Sequence, residues 1–83
     1  MDKLEFYQRL AAILDIEEVK QDDTLTEFEQ WDSLAILSVL AMADAKYGVT
    51  IKAHEIRSVV TAAELANLVE TKKNQNAPGL VPT

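Results

Sequence analysis

The sequence lacks most of the residue types on which catalytic and metal sites depend. It contains no cysteine, which excludes disulfides, thiolate metal ligands and cysteine nucleophiles. Its two glycines form no glycine-rich phosphate-binding loop, and His54 is its only histidine. Its carboxylates do not follow the Asp-x-Asp-x-Asp-Gly spacing of a calcium loop. We therefore expect no metal site and no catalytic activity from the chain itself.

Long hydrophobic runs are also missing. No stretch approaches the roughly 18 consecutive apolar residues that a membrane span needs, and the N-terminus lacks the basic-then-apolar order of a signal peptide. We therefore expect a cytoplasmic protein without a membrane span. Apolar residues make up 48% of the 83 positions, which is enough to form the core of one small domain. A monomer is the simplest expectation.

Charge is concentrated in one part of the chain. The net charge of −6 argues against nucleic acid as a partner, because phosphate backbones attract Lys and Arg. Residues 15–32 hold eight acidic residues against Lys20, a net charge of −7. This stretch is either an ordinary solvated loop or a docking surface for basic partners. Its acidic residues are Asp15, Glu17, Glu18, Asp22, Asp23, Glu27, Glu29 and Asp32.

Apolar spacing predicts an all-α fold. Helical periodicity covers residues 3–14, 33–47 and about 61–71, and a single helical turn is expected around 54–59. Thr26 and Glu29 could form a capping box for one short turn within the long connection 15–32. Three longer helices and one short helix predict a small antiparallel bundle over residues 1–71. The polar residues 72–83 are expected to form a disordered tail.

Ser33 is the residue that this arrangement singles out for chemistry. Asp32 is a good N-cap, which places Ser33 at or near the first position of the second helix. A hydroxyl there is exposed and lies in the field of unpaired backbone N–H groups. A phosphodiester on that oxygen would gain from the same field. The alternative is that Ser33 only caps the helix.

The wider context resembles the acyl carrier protein family. The resemblance covers residues 2–71 and consists of the first helix, the long acidic loop, Asp32-Ser33-Leu34, the helix exit Tyr47-Gly48-Val49-x-Ile51, the short third helix, and Thr61-Ala62-Ala63-Glu64 opening the last helix. It implies that Ser33 carries phosphopantetheine, which a phosphopantetheinyl transferase installs from coenzyme A. It also implies that Asp32 belongs to the transferase recognition motif and that Leu34 contacts partner enzymes.

The second helix differs from that of fatty-acid carriers. Gln30-Trp31 precedes the motif where those carriers have Gly and a small residue, and only Asp44 and Lys46 are charged within the helix. A specialised carrier is therefore as compatible with the sequence as a fatty-acid carrier. We expect acyl-transferring or acyl-activating enzymes with basic patches to dock on the small or apolar face and the acidic loop, at Leu34, Leu37, Ser38, Ala41, Glu27 and Glu29.

The expected function is thus that of a non-catalytic acyl carrier for fatty-acid, lipid or specialised acyl biosynthesis. Three alternatives stay open: an aminoacyl or polyketide carrier, an interaction module without a prosthetic group, and a small hydrolase using Ser33 and His54. An acyl chain could enter the bundle near six apolar residues, which are otherwise plain core. These are Ile36, Val39, Leu40, Ile51, Ile56 and Leu65.

Overall fold

Four α-helices account for most of the folded chain. The computed structural model describes residues 1–75 and contains α1 (Lys3–Leu14), α2 (Ser33–Tyr47), α3 (Ala53–Ser58), α4 (Ala62–Gln75) and a 3-10 helix (Leu25–Glu27). Within these residues there is no β-strand, only an isolated antiparallel bridge between Thr24 and Thr61. The prediction of an all-α bundle with three longer helices and one short helix is confirmed.

The core is built from apolar residues and is organised around α2. This helix packs against α1, α3 and α4, and α1 also packs against α4. No polar or charged residue is classed as buried within residues 1–75. At the edge of the core, the Tyr47 hydroxyl is buried and has no hydrogen-bond partner among the described residues. The fully buried side chains with the largest volumes are Phe6, Leu10, Leu14, Leu25, Val39, Val49, Ile56, Leu65 and Val69.

The bounds of α1 and α2 agree with the predicted ranges because both helices have clear ends. Asp2 caps α1 by accepting a hydrogen bond from the Glu5 N–H at 3.2 Å. Gly48 ends α2 with φ +66°, the left-handed conformation in which glycine carries no side-chain penalty. α1 ends at Leu14, and the following residue, Asp15, adopts the same conformation with φ +56°.

The long acidic connection is tied to the beginning of α4. Leu25 is fully buried, and its N–H donates to the Val60 carbonyl at 2.8 Å. The N–H of Ala62 donates to the Asp23 carbonyl at 3.0 Å, so a loop carbonyl satisfies one of the first N–H groups of α4. Trp31, at the end of this connection, is partly buried and packs against the core.

The short turn predicted in this connection exists, but its capping was predicted wrongly. The 3-10 helix begins at Leu25 after Thr24 and has no side-chain cap. No capping hydrogen bond joins Thr26 and Glu29 among the described residues. The 3-10 helix begins where Leu25 enters the core. The polar residues Thr26 and Glu29 alone therefore could not indicate its first residue.

The short helix α3 buries Ile56 in the core and is also held by the carboxylate of Glu55. Glu55 Oε1 accepts a hydrogen bond from the Lys52 N–H at 3.0 Å, and Glu55 Oε2 lies 2.7 Å from Lys72 Nζ in α4. The hydrogen bond from Lys72, helped by that from Lys52, holds the pKa of Glu55 below its ordinary value. Glu55 therefore joins the start of α3 to the last turns of α4.

The last helix begins as predicted and ends later than predicted. Thr61 and Glu64 form a capping box, in which the Glu64 N–H donates to Thr61 Oγ1 at 3.2 Å and the Thr61 N–H donates to Glu64 Oε1 at 3.1 Å. The helix continues to Gln75, so residues 72–75 are helical and not part of a tail. The rest of the predicted tail, residues 76–83, lies outside the described residues.

Candidate functional site

Ser33 is the first residue of α2, and its side chain is exposed. Asp32 Oδ1 accepts a hydrogen bond from the Ala35 N–H at 2.9 Å, and the Asp32 carbonyl accepts one from the Ile36 N–H at 2.9 Å. The helix start is therefore stabilised by Asp32, not by Ser33. The Ser33 hydroxyl makes no hydrogen bond with any residue in the range 1–75, so it can be modified without breaking a contact there.

Two backbone donors beside this hydroxyl are also unpaired. The N–H groups of Ser33 and Leu34 have no acceptor among the residues that the structure describes. Unpaired N–H groups at the start of a helix attract anionic oxygen atoms, and the helix dipole adds to the attraction. The chemistry of this position therefore suits a phosphate ester on Ser33, although the adjacent Asp32 carboxylate opposes it by charge repulsion.

An exposed apolar face follows Ser33 along α2. The side chains of Leu34 and Leu37 are 73% and 61% exposed, and Ala41 is exposed one turn further on. Ser38 is half-buried beside them. Leu34 and Leu37 are three residues apart, so they are neighbours on the helix surface and together offer an apolar contact area. The predicted docking residues of α2 thus lie on one surface, while Glu27 and Glu29 are exposed on the preceding connection.

A shallow groove lies beside this face. Its volume is about 230 Å³, and the end of α1, the connection and the first turns of α2 line it. No local sequence pattern indicates the α1 side of this groove, because α1 comes near Ser33 only when the helices pack. The lining residues are Ile13, Leu14, Asp15, Gln30, Asp32, Leu34, Ala35 and Ser38.

The groove beside Ser33 has an acidic border. Asp15 and Asp32 both line it, and no Lys or Arg does. Asp15 makes no side-chain hydrogen bond or ion pair with another residue of the range 1–75. This part of the surface therefore favours a partner that brings positive charge.

The structure does not pair Ser33 with a catalytic base. His54 is exposed on α3, and no hydrogen bond joins it to Ser33 in the described part of the chain. No group of three or more His, Asp or Glu side chains in residues 1–75 is arranged to bind a metal ion. None of the helices described here combines the length and the apolar character of a membrane-spanning segment.

The six residues named as a possible acyl cavity are packed in the interior. Five of them are buried, and Leu40 is half-buried. None of the six lines the groove beside Ser33. In this conformation they act as core residues.

Comparison with known proteins gives no further identification of the site. Searches of protein-family models, of curated proteins and of solved structures find no match to this chain. The likeness to acyl carrier proteins therefore stays a prediction that depends on Asp32-Ser33-Leu34 and on the order of the helices.

Proposed function

We propose that the protein is an acyl carrier of the cytoplasm whose Ser33 hydroxyl bears a phosphopantetheine group. The observation that carries the proposal is the exposed, unbonded Ser33 side chain at the first position of α2. Asp32 stabilises the helix start independently of the serine. The helical bundle can therefore stay folded while a modifying enzyme reacts with Ser33.

The modification is a transfer from coenzyme A by a separate transferase. Ser33 Oγ forms a new bond to the phosphorus next to the pantetheine, the pyrophosphate bond of coenzyme A breaks, and the hydroxyl proton passes to a base of the transferase. The nucleotide portion leaves with the other phosphate. Once bound, the group would supply a terminal thiol, which can hold acyl groups as thioesters in a chain that has no cysteine.

The residues around Ser33 would present this group to other enzymes. Leu34 and Leu37 offer apolar contact area, and the acidic connection attracts basic surfaces. A tethered thiol that visits several active sites gains a high effective concentration at each of them. Binding of such partners is expected to weaken as salt screens the acidic residues.

The first prediction is that the purified protein gains one phosphopantetheine when it is incubated with coenzyme A and a broad-range transferase. Intact-mass spectrometry measures the added mass, and tandem spectrometry locates it. Ser33→Ala should abolish the gain, while Ser38→Ala should retain it, because Ser38 lies on the same helix but is half-buried. No added mass, or an equal gain in the Ser33→Ala variant, would refute the proposal.

The cargo can be determined on the same protein. Acyl, aminoacyl and polyketide units attached as thioesters differ in mass, so mass spectrometry of the protein purified from its own organism distinguishes these three kinds of carrier.

The exposed apolar face also favours a second candidate, an interaction module without a prosthetic group. Leu34 and Leu37 would dock a partner in this case too, but Ser33 would serve only as part of the helix start. Recovery of the unmodified protein from its organism, together with the absence of transfer in the assay above, would support this candidate over the carrier.

A further inference from the structure

A second groove lies on α1, and we call it the α1 groove. Its volume is about 390 Å³, larger than that of the groove beside Ser33. The two grooves have no lining residue in common, so the α1 groove is a separate surface. It is lined by Leu4, Tyr7, Gln8, Ala11, Glu17, Glu18 and Val19.

The α1 groove offers apolar contact area along one face of the helix. Leu4, Tyr7 and Ala11 follow the helical spacing of three and four residues, so they lie on one side of α1 over about 10 Å. The Leu4 side chain is 67% exposed, and Ala11 and Val19 form a buried floor. A partner that covers Leu4 would remove apolar surface from water, which favours association.

The two charged residues that line the α1 groove are both acidic. Glu17 and Glu18 line the groove and are exposed, and neither forms an ion pair with a residue in the range 1–75. No Lys or Arg lines the groove. Three cations are adjacent in sequence to lining residues: Lys3 donates to Asn67 Oδ1 at 3.3 Å, Arg9 pairs with Glu5 at 2.9 Å, and Lys20 is exposed.

We propose that the α1 groove binds a partner protein through a short segment that joins an apolar side chain to Lys or Arg. The apolar side chain covers Leu4, Tyr7 and Ala11, and the cationic side chains pair with Glu17 and Glu18. A second copy of this chain fits poorly, because it would bring the same two carboxylates to the interface. An anionic membrane fits poorly for the same reason.

This proposal does not depend on phosphopantetheine. The α1 groove contains neither Ser33 nor any residue of the exposed face of α2. Failure of the modification assay would therefore leave it unaffected, and the reverse also holds. If both proposals hold, one partner can be bound at α1 while another enzyme contacts α2.

Nuclear magnetic resonance titration of the full chain with a synthetic peptide tests the proposal. The probe is a short capped peptide in which Leu alternates with Lys and Arg, and the matched probe replaces Lys and Arg with Glu. The basic peptide should cause saturable shifts of the amide signals of residues 4–11 and 17–19. The acidic peptide should cause none, and salt should weaken the binding of the basic peptide.

Two variants separate the apolar and ionic contributions. Glu17→Gln combined with Glu18→Gln should weaken binding of the basic peptide about fivefold, because it removes two exposed ion pairs. Leu4→Gln should weaken it by roughly tenfold, because the apolar contact is lost. The matched control is Asp22→Asn combined with Asp44→Asn, which removes the same charge from exposed positions outside the groove and should change the affinity less than twofold.

Four outcomes of the titrations would overturn the proposal. These are shifts confined to α2, equal weakening in the control and in the Glu17/Glu18 variant, equal binding of both peptides, and no saturable binding of the basic peptide. Sedimentation of the free protein supplies an independent check, since a dimer that Leu4→Gln dissociates would assign the groove to a second copy of the chain.

Discussion

The two irregular segments of the domain, residues 15–32 and 48–61, both bury apolar side chains but differ in how they use charge. The first is the most acidic part of the chain, yet it is fixed by the buried Leu25 and by backbone hydrogen bonds to the start of α4. The second carries few charges, yet its helix α3 is joined to α4 through the ion pair of Glu55 and Lys72. The segment with the most charged residues is therefore not the one that is held by an ion pair.

This difference indicates what the acidic residues are available for. Among the eight carboxylates of residues 15–32, only those of Asp23 and Asp32 accept hydrogen bonds from the described part of the chain. The other six contribute little to holding the fold, because exposed charges without a partner add almost no stability. They are free to contact partners, as the proposals for the exposed face of α2 and for the α1 groove both require.

Truncation of Leu25 should give the largest effect. Leu25→Ala removes a fully buried side chain that anchors the acidic connection, and we expect a loss of about 2–4 kcal/mol in the free energy of unfolding. Urea denaturation measures this loss. The matched control, Leu37→Ala, changes a side chain that is 61% exposed and should cost less than about 0.5 kcal/mol. Equal losses would show that the connection is not held by its apolar anchor.

Substitution at Gly48 should give an intermediate effect at the start of the second segment. Its φ is +66°, and an added Cβ would meet no atom within 4 Å. Gly48→Ala should therefore cost about 1 kcal/mol of unfolding free energy from the backbone conformation alone. Gly48→Asn should cost less, since asparagine tolerates this conformation better. Thermal denaturation compares the two, and an equal loss for both would contradict the backbone explanation.

Neutralising Glu55 should give the smallest effect, visible as a change in pH dependence. Lys72 lowers the pKa of Glu55 from its ordinary value of 4.5. The ionised Glu55 therefore stabilises the folded state fully at pH values above 4.5. This stabilisation is lost as the pH falls through the lowered pKa of Glu55 in the folded state. Glu55→Gln keeps an acceptor for the Lys52 N–H but removes the charge.

The measurement is the melting temperature between about pH 6 and pH 2. The wild type should lose more stability over this range than Glu55→Gln, and Lys72→Gln should resemble Glu55→Gln. Parallel curves for all three proteins would mean that the ion pair does not contribute to the link between α3 and α4.

The parts of the fold that follow from local sequence were predictable. Asp32 and Gly48 mark the two ends of α2, and Thr61 with Glu64 marks the start of α4. Each of these signals acts within four residues along the chain, so periodicity and capping preferences are enough to place them. The exposed position of Ser33 follows from the same local rules.

The parts that depend on distant contacts were not predictable. The last turn of α4 is composed of polar residues, but Lys72 pairs with Glu55 and Lys73 Nζ lies 5.8 Å from the centre of the Tyr47 ring. The 3-10 helix begins where Leu25 reaches the core. Both grooves form only where α1 packs against other segments, so a linear pattern contains no signal for Glu17 or Ile13 as groove residues.

The absence of buried polar residues from the described core has a consequence for how this small domain maintains one conformation. Hydrocarbon side chains attract one another without directional preference, so they permit several packings of similar energy. Directionality comes from the periphery, where Asp32, Gly48 and the pair Thr61 and Glu64 fix the ends of helices. The choice of one topology thus depends on these boundary contacts and not on polar pairs in the interior.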